Sequence, residues 1–318
     1  MKEAGMTLSR RDFVKLCSGT VAGFGVSQMF HPAIQEVFAQ TLTGERPPVF
    51  WVQGQGCTGC SVTLLNSVHP SIADVLLKVI SLEFNPTVMA SEGEGAYEHM
   101  LKMAASHKGQ YVFAVEGAIP LAHDGKCCVV AEANHKEITM TAVTKELAAN
   151  AAAVLAIGTC AAYGGIPAAK GSETQAVGVS DYLKKQGIAT PVVNIPGCPP
   201  HPDWIVGTIG LALQALSTNT LAAFAKQELD AIGRPKAFYR NVHMNCPHLA
   251  DYEAGKMCKT MTDKDGCRYS LGCKGPKSAC DSPQRKWNNG VNWCVDNATC
   301  IGCTSHNFPD GKSPFYVN

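Results

Sequence analysis

Fourteen of the chain's 15 cysteines follow residue 50, and most stand in turns rich in glycine and proline. The clearest are Gly56-Cys57-Thr58-Gly59-Cys60, Gly158-Thr159-Cys160, Pro196-Gly197-Cys198-Pro199-Pro200 and Cys300-Ile301-Gly302-Cys303. Thiols on tight turns can be aimed at a common point, so the pattern reads as metal ligation. The set is too large for one zinc site. It suits several iron–sulfur clusters, each held by about four ligands.

Between residues 48 and 215, short apolar runs alternate with helical patterns. Val49–Val52, Thr87–Ala90, Tyr111–Val115, Ala153–Ile157 and Pro191–Ile195 have the length and continuity of strands buried on both faces. Helical spacing is present at Ile72, Val75, Leu76 and Val79, in the alanines beside Leu147, and from Trp204 to Leu216. The expected fold class is therefore α/β. A flavodoxin-like open parallel sheet over 45–217 is followed by an irregular, iron–sulfur-cluster-bearing C-terminal domain over 233–318. Gly233-Arg234-Pro235 reads as a linker turn. The C-terminal segment has too little apolar patterning for a core of its own, and metal clusters would supply its cross-links.

Ligands of open parallel sheets bind beyond the carboxyl ends of the strands. Cys57 and Cys60 follow the first run, Cys160 the fourth and Cys198 the fifth, so these four are expected to meet at one sheet edge. A second constellation is His243-x-x-Cys246 with Cys267 and Cys273; a third is Cys280, Cys294, Cys300 and Cys303. Cys127, Cys128 and Cys258 are left as ordinary buried or surface thiols. Alternatives stay open at this level. Cys57-x-x-Cys60 alone also fits a redox dithiol or half a zinc site. His243 alone reads as a surface histidine, although imidazole can replace a thiolate on a cluster.

Lys plus Arg is 27 against 26 Asp plus Glu, with no basic stripe, so nucleic acid is not an expected partner. No apolar run after residue 45 approaches the roughly 18–20 residues of a membrane span, so no transmembrane anchor is expected. Residues 1–40 are different. Ser9-Arg10-Arg11-Asp12-Phe13-Val14-Lys15 precedes a mild apolar stretch, Leu16–Phe30, and small residues approach Ala39-Gln40-Thr41. This resembles a twin-arginine export signal. The alternative, an amphipathic helix with two arginines, is weakened by Gly19, Gly23 and Gly25. That export route carries folded proteins with cofactors inserted, which reconciles export with cysteines reserved for metal. Disulfides are otherwise the common use of cysteine in exported chains.

Taken together, these motifs resemble the small, electron-transferring subunit of nickel–iron hydrogenases. The resemblance rests on residues 54–61 (GQGCTGCS), 158–165 (GTCAAYGG), 196–202 (PGCPPHP), 243–247 (HMNCP), 272–276 (GCKGP) and 300–303 (CIGC), and spans essentially the whole chain. It implies that Cys57, Cys60, Cys160 and Cys198 hold a proximal 4Fe–4S cluster. It implies that His243, Cys246, Cys267 and Cys273 hold a distal 4Fe–4S cluster, and that Cys300 and Cys303 belong to a medial one. Cys294 stands where the common branch has proline and a 3Fe–4S medial cluster. It resembles the selenium-containing branch, whose medial cluster is 4Fe–4S, and Gly56 before Cys57 points the same way. One departure matters. The family's first medial cysteine lies nine residues after the last distal one, which is Ser282 here, whereas Cys280 comes two residues early. The expectation is a 4Fe–4S medial cluster using Cys280, with 3Fe–4S as the alternative.

The resemblance further implies a periplasmic heterodimer. Its large subunit would carry the nickel–iron site, with or without selenocysteine. A multihaem c-type cytochrome would dock near His243, and this chain would perform no bond chemistry itself. Two rival readings are an exported disulfide- or zinc-stabilised binding protein and the related subunit of a quinone reductase.

Overall fold

The computed structural model describes residues 46–287, 290, 294–296 and 298–312; the arginine-pair segment 1–40 and Trp293 lie outside the described residues. Seven strands stand among these residues: β1 (Pro48–Gln53), β2 (Ser81–Phe84), β3 (Val112–Glu116), β4 (Val129–Ala133), β5 (Lys136–Thr139), β6 (Ala153–Ile157) and β7 (Val192–Ile195). Five form one parallel sheet in the order β2-β1-β3-β6-β7. This is the flavodoxin-like strand order, whose switch point lies between β1 and β3. The helices of six residues or more are α1 (Gly59–Leu65), α2 (Gly93–Ser106), α3 (Met140–Asn150), α4 (Gly158–Tyr163), α5 (Val179–Lys185), α6 (Pro202–Ser217) and α7 (Leu221–Gln227). No helix among the described residues is long and apolar enough to cross a membrane.

Side chains alternate across the sheet, and both faces are covered. Val49, Trp51, Val112, Ala114, Leu155 and Ile157 pack on one face with Ile205, Ile209 and Leu213 of α6. Phe50, Val52, Phe113, Val115, Val154 and Ala156 pack on the other, against α2, α3 and α5. Burial on both sides explains why these strands read as continuous apolar runs rather than alternating ones. It also fixes the register, because a one-residue slip would exchange the two faces.

Two expectations are corrected by the structure. The second strand is Ser81–Phe84, not Thr87–Ala90. Pro86 breaks the chain, and Asn85 closes a turn in which its Oδ1 accepts from Thr87 N at 2.9 Å and its carbonyl accepts from Met89 N at 3.0 Å. The predicted linker Gly233-Arg234-Pro235 is instead a docked turn. Gly233 O accepts from Asn194 N at 2.8 Å, and Ile232 O accepts from Asn194 Nδ2 at 2.8 Å, so the turn covers the open edge of β7. The β4–β5 hairpin is an addition. Its turn residues Asn134 and His135 both have positive φ (51° and 57°), the geometry of a tight primed turn, but without the usual glycine signal.

Beyond Phe238 the chain is held by short turns and by buried contacts with the first face of the sheet. Phe238, Tyr239 and Val242 join the α6 side of the core, as do Cys280, Cys294 and Cys300. Arg285, nine-tenths buried, ties this segment to α6: it donates to Asp281 Oδ2 at 2.6 Å and to Asp203 Oδ2 at 2.8 Å. Trp204 Nε1 donates to Asp281 Oδ1 at 2.7 Å from the α6 side.

Candidate metal centres

The loops leaving β1, β3, β6 and β7 meet at the carboxyl edge of the sheet. Gln55 and Ala118 exchange hydrogen bonds of 2.9 and 2.8 Å across the β1/β3 switch point. Cys57 is exposed there, Thr58 turns the chain with φ 65°, and Cys60 sits in the first turn of α1. Cys160 lies in α4 directly after β6, and Cys198 in the loop after β7. The four thiols form one group. Burial pushes Cys60 well up, and Glu116 and the thiols of Cys160, Cys198 and Cys57 add to it. Cys160 is pushed up to about 12, mainly by burial and then by Cys198. Gly158 has φ +86°, and a Cβ there would overlap the Cys60 sulfur, so only glycine fits between the two ligand loops.

Glu116, which follows the apolar run Tyr111–Val115, is not among the residues singled out from the sequence. The structure buries it under this group. Its carboxylate accepts from Trp51 Nε1 at 2.9 Å, Gln53 Nε2 at 3.2 Å, Ser61 Oγ at 2.5 Å and the backbone N–H groups of Cys60 (2.9 Å) and Ser61 (3.2 Å). A carboxylate closing an apolar run on the ligand edge is the signal that could have found it.

The second group surrounds a cavity lined by His243, Cys246, Cys267 and Cys273, with His248 and Tyr269. His243 stands on a short turn, its ring edge-on to Tyr252 at 4.6 Å. His248 N donates to Cys246 Sγ at 3.4 Å. Cys246 is pushed up to about 11, by burial first and by Cys273 and Cys267 after it. Cys258 is a buried thiol beside this group, bonded to Gly266 O at 3.1 Å.

The third group contains Cys280, Cys294, Cys300 and Cys303. Burial raises Cys280, with Cys300 and Cys303 adding to it. The Cys294 thiol is raised first by its hydrogen bond with Cys300, then by burial. Ser282 is turned to other work: its hydroxyl accepts from Trp287 Nε1 at 2.9 Å, while its amide faces the Cys280 thiol. Cys127 and Cys128 lie half-buried in the loop before β4.

Adjacent groups touch through their ligands. Thr159 hydrogen-bonds to the carbonyl of Cys303, and the amide of Cys198 faces the Cys303 thiol. Lys274 N donates to Cys300 O at 2.7 Å, and the amide of Cys300 faces the Cys273 thiol. The groups therefore stand in a row, first to third to second.

The donor chemistry fits iron–sulfur clusters. All 14 described cysteines are free thiols. The buried thiols of these groups are raised by burial and then by one another, because their negative charges repel; iron, which is cationic, relieves that repulsion. Among the described residues, no three His, Cys, Asp or Glu side chains gather closely enough to chelate a single ion. Cluster ligands each bind a different iron and stand further apart.

Comparisons with known proteins agree with this chemistry. Residues 57–212 match the profile of the NADH ubiquinone oxidoreductase 20 kDa subunit. Residues 238–316 match the profile of the C-terminal part of the NiFe/NiFeSe hydrogenase small subunit. The periplasmic [NiFeSe] hydrogenase small subunit of Desulfomicrobium baculatum is 53% identical over 98% of this chain and 99% of its own length. The periplasmic [NiFe] hydrogenase small subunit 1 of Nitratidesulfovibrio vulgaris is 38% identical over 97% of this chain and 93% of its own. Among solved structures, a recombinant [NiFeSe] hydrogenase from Desulfovibrio vulgaris Hildenborough in the oxidised state superimposes with a TM-score of 0.85. It is 66% identical and covers 87% of this chain and 100% of the matched one.

Proposed function

The chain belongs to the small-subunit family of nickel–iron and nickel–iron–selenium hydrogenases, and from that membership we propose that it relays electrons between a nickel-bearing large subunit and an external acceptor. The observation that carries the proposal is the row of three four-donor groups with touching ligands. Cys57, Cys60, Cys160 and Cys198 would hold the proximal 4Fe–4S cluster, and His243, Cys246, Cys267 and Cys273 the distal one. Cys280, Cys294, Cys300 and Cys303 would hold the medial cluster, proposed as 4Fe–4S. When bound, such clusters supply one-electron carriers whose potentials follow charge, hydrogen bonding and exposure.

The chain's own residues do the rest. The sheet's core and the Arg285 network hold the ligand loops still and keep water from the inner groups. Backbone amides of His248, Ser282 and Cys198 are aimed at ligand sulfurs and favour their charged form. Cys57, just before α1, is exposed, and α1 leaves the apolar side chains of Val62 and Leu65 open; this is the face we assign to the large subunit. His243 lies beside Met244, which is 66% exposed, and this end is assigned to a multihaem c-type cytochrome. The relatives named periplasmic support the periplasm as location, reached by the twin-arginine route through residues 1–40. The division into a sheet domain over 45–217 and a cluster domain over 233–318 belongs to the same reading.

The test is the purified heterodimer reduced under hydrogen. Three clusters require roughly 12 irons, about four for each cluster. His243→Ala should keep hydrogen–deuterium exchange, which needs no electron exit, and lose cytochrome reduction. An iron-free heterodimer, or equal loss of both activities in the variant, would contradict the proposal.

A further inference from the structure

Thr159 precedes Cys160 of the first group, and its side chain bonds both to the loop of Cys198 in that group and to Cys303 of the third. It is 1% exposed. Its Oγ1 accepts from Gly197 N at 2.9 Å, one residue before Cys198, and donates to the carbonyl of Cys303. Its own N–H donates to Gly197 O at 3.0 Å. A hydroxyl has one donor and two acceptor sites, so the donor is committed to the medial side and an acceptor to the proximal side. Away from solvent these bonds meet no competition from water, and losing one leaves a buried group unpaired.

The other junction is built differently. Between the medial and distal groups, Lys274 N–H donates to Cys300 O and the Cys300 amide faces the Cys273 thiol, so main-chain groups take part in both contacts.

We propose that Thr159 is a positioning residue whose hydroxyl locks the Cys303 end of the medial site against the Gly197–Cys198 loop of the proximal site, and so sets the electronic coupling between the two. The inference rests on the relay reading above. With the lock in place, the Cys303 sulfur stays under the Cys198 amide. A hydrogen bond to a ligand sulfur stabilises the more negative, reduced state and raises the potential. Removing the hydroxyl therefore loosens the gap and lowers the medial potential, while the distal site is untouched.

The experiment uses the holo heterodimer with Thr159→Val, which keeps the shape, and Thr159→Ser, which keeps the hydroxyl. Electron paramagnetic resonance of the reduced enzyme reads the spin–spin splitting between clusters, and a redox titration reads the medial potential. The valine variant should lose or alter the proximal–medial splitting, shift the medial potential negative and keep the medial–distal splitting; serine should restore wild-type values. Thr159→Ala is read in the same way if the valine variant does not assemble. Wild-type splitting and potential in the valine or alanine variant, or a serine variant that behaves like them, overturns this inference. A wild-type heterodimer without cluster signals overturns the relay reading instead.

Discussion

Arg285→Met should be the most damaging substitution outside the ligands. The Arg285 side chain is 5% exposed, and the carboxylates it serves, Asp203 and Asp281, are 12% and 11% exposed. Its Nε donates to Asp281 Oδ1 and Oδ2 at 3.1 and 3.0 Å, Nη2 to Oδ2 at 2.6 Å, and Nη1 to Asp203 Oδ2 at 2.8 Å. Burial opposes its charge, yet the two carboxylates hold it protonated and raise its pKa. Methionine fills the volume but leaves two buried negative charges unpaired. Breaking a buried ion pair in this way costs about 3–5 kcal/mol. At about 2–4 °C per kcal/mol for a domain of this size, the melting midpoint should fall by roughly 6–20 °C. Arg285→Lys should fall between, because an ammonium keeps the charge but cannot match the forked contacts. The assay is thermal loss of cluster absorbance in the heterodimer. Because Asp281 adjoins Cys280, the medial signal should disappear first. A midpoint within about 2 °C of wild type for Arg285→Met would refute the reasoning, since the lower bound of the cost would then be missed.

Three other outcomes are expected. Cys280→Ala should abolish the medial 4Fe–4S signal and Ser282→Ala should preserve it; a 3Fe–4S resonance in oxidised wild type would count against Cys280 as a ligand. Gly158→Ala should cost proximal iron, because its Cβ would overlap the Cys60 sulfur at φ +86°. Gly187→Ala, at φ +68° with open space around it, should cost only about 1–2 kcal/mol of backbone strain and no iron. Arg10→Lys combined with Arg11→Lys should strand the chain in the cytoplasm, measured by fractionation; normal periplasmic amounts would rule out the arginine-pair route.

Much of this protein was legible without coordinates. Four of the five strands of the parallel sheet stand out because burial on both faces writes continuous apolar runs into the chain. Cys57, Cys60, Cys160 and Cys198 each lie in the loop or first helical turn after such a run, and a parallel sheet brings the carboxyl ends of its strands to one edge. Local signals failed where the cue was weak or cut short. Ser81–Phe84 is a short strand lost beside the more apolar Thr87–Ala90, and the β4–β5 turn lacks glycine. Other features were not local at all. Whether position 280 or 282 faces the third group depends on how a four-residue turn settles against Trp204 and Trp287. There the Ser282 hydroxyl is taken by Trp287, and the Cys280 thiol is left beside Cys300 and Cys303. Thr159 and Cys303 are 144 residues apart, and Glu116 and Cys60 are 56 apart. Sequence patterning sets which residues are buried and which turns carry thiols, since those follow from each residue's own chemistry. Which buried polar atoms meet across the molecule is set by strand order and register, and only the folded structure holds that information.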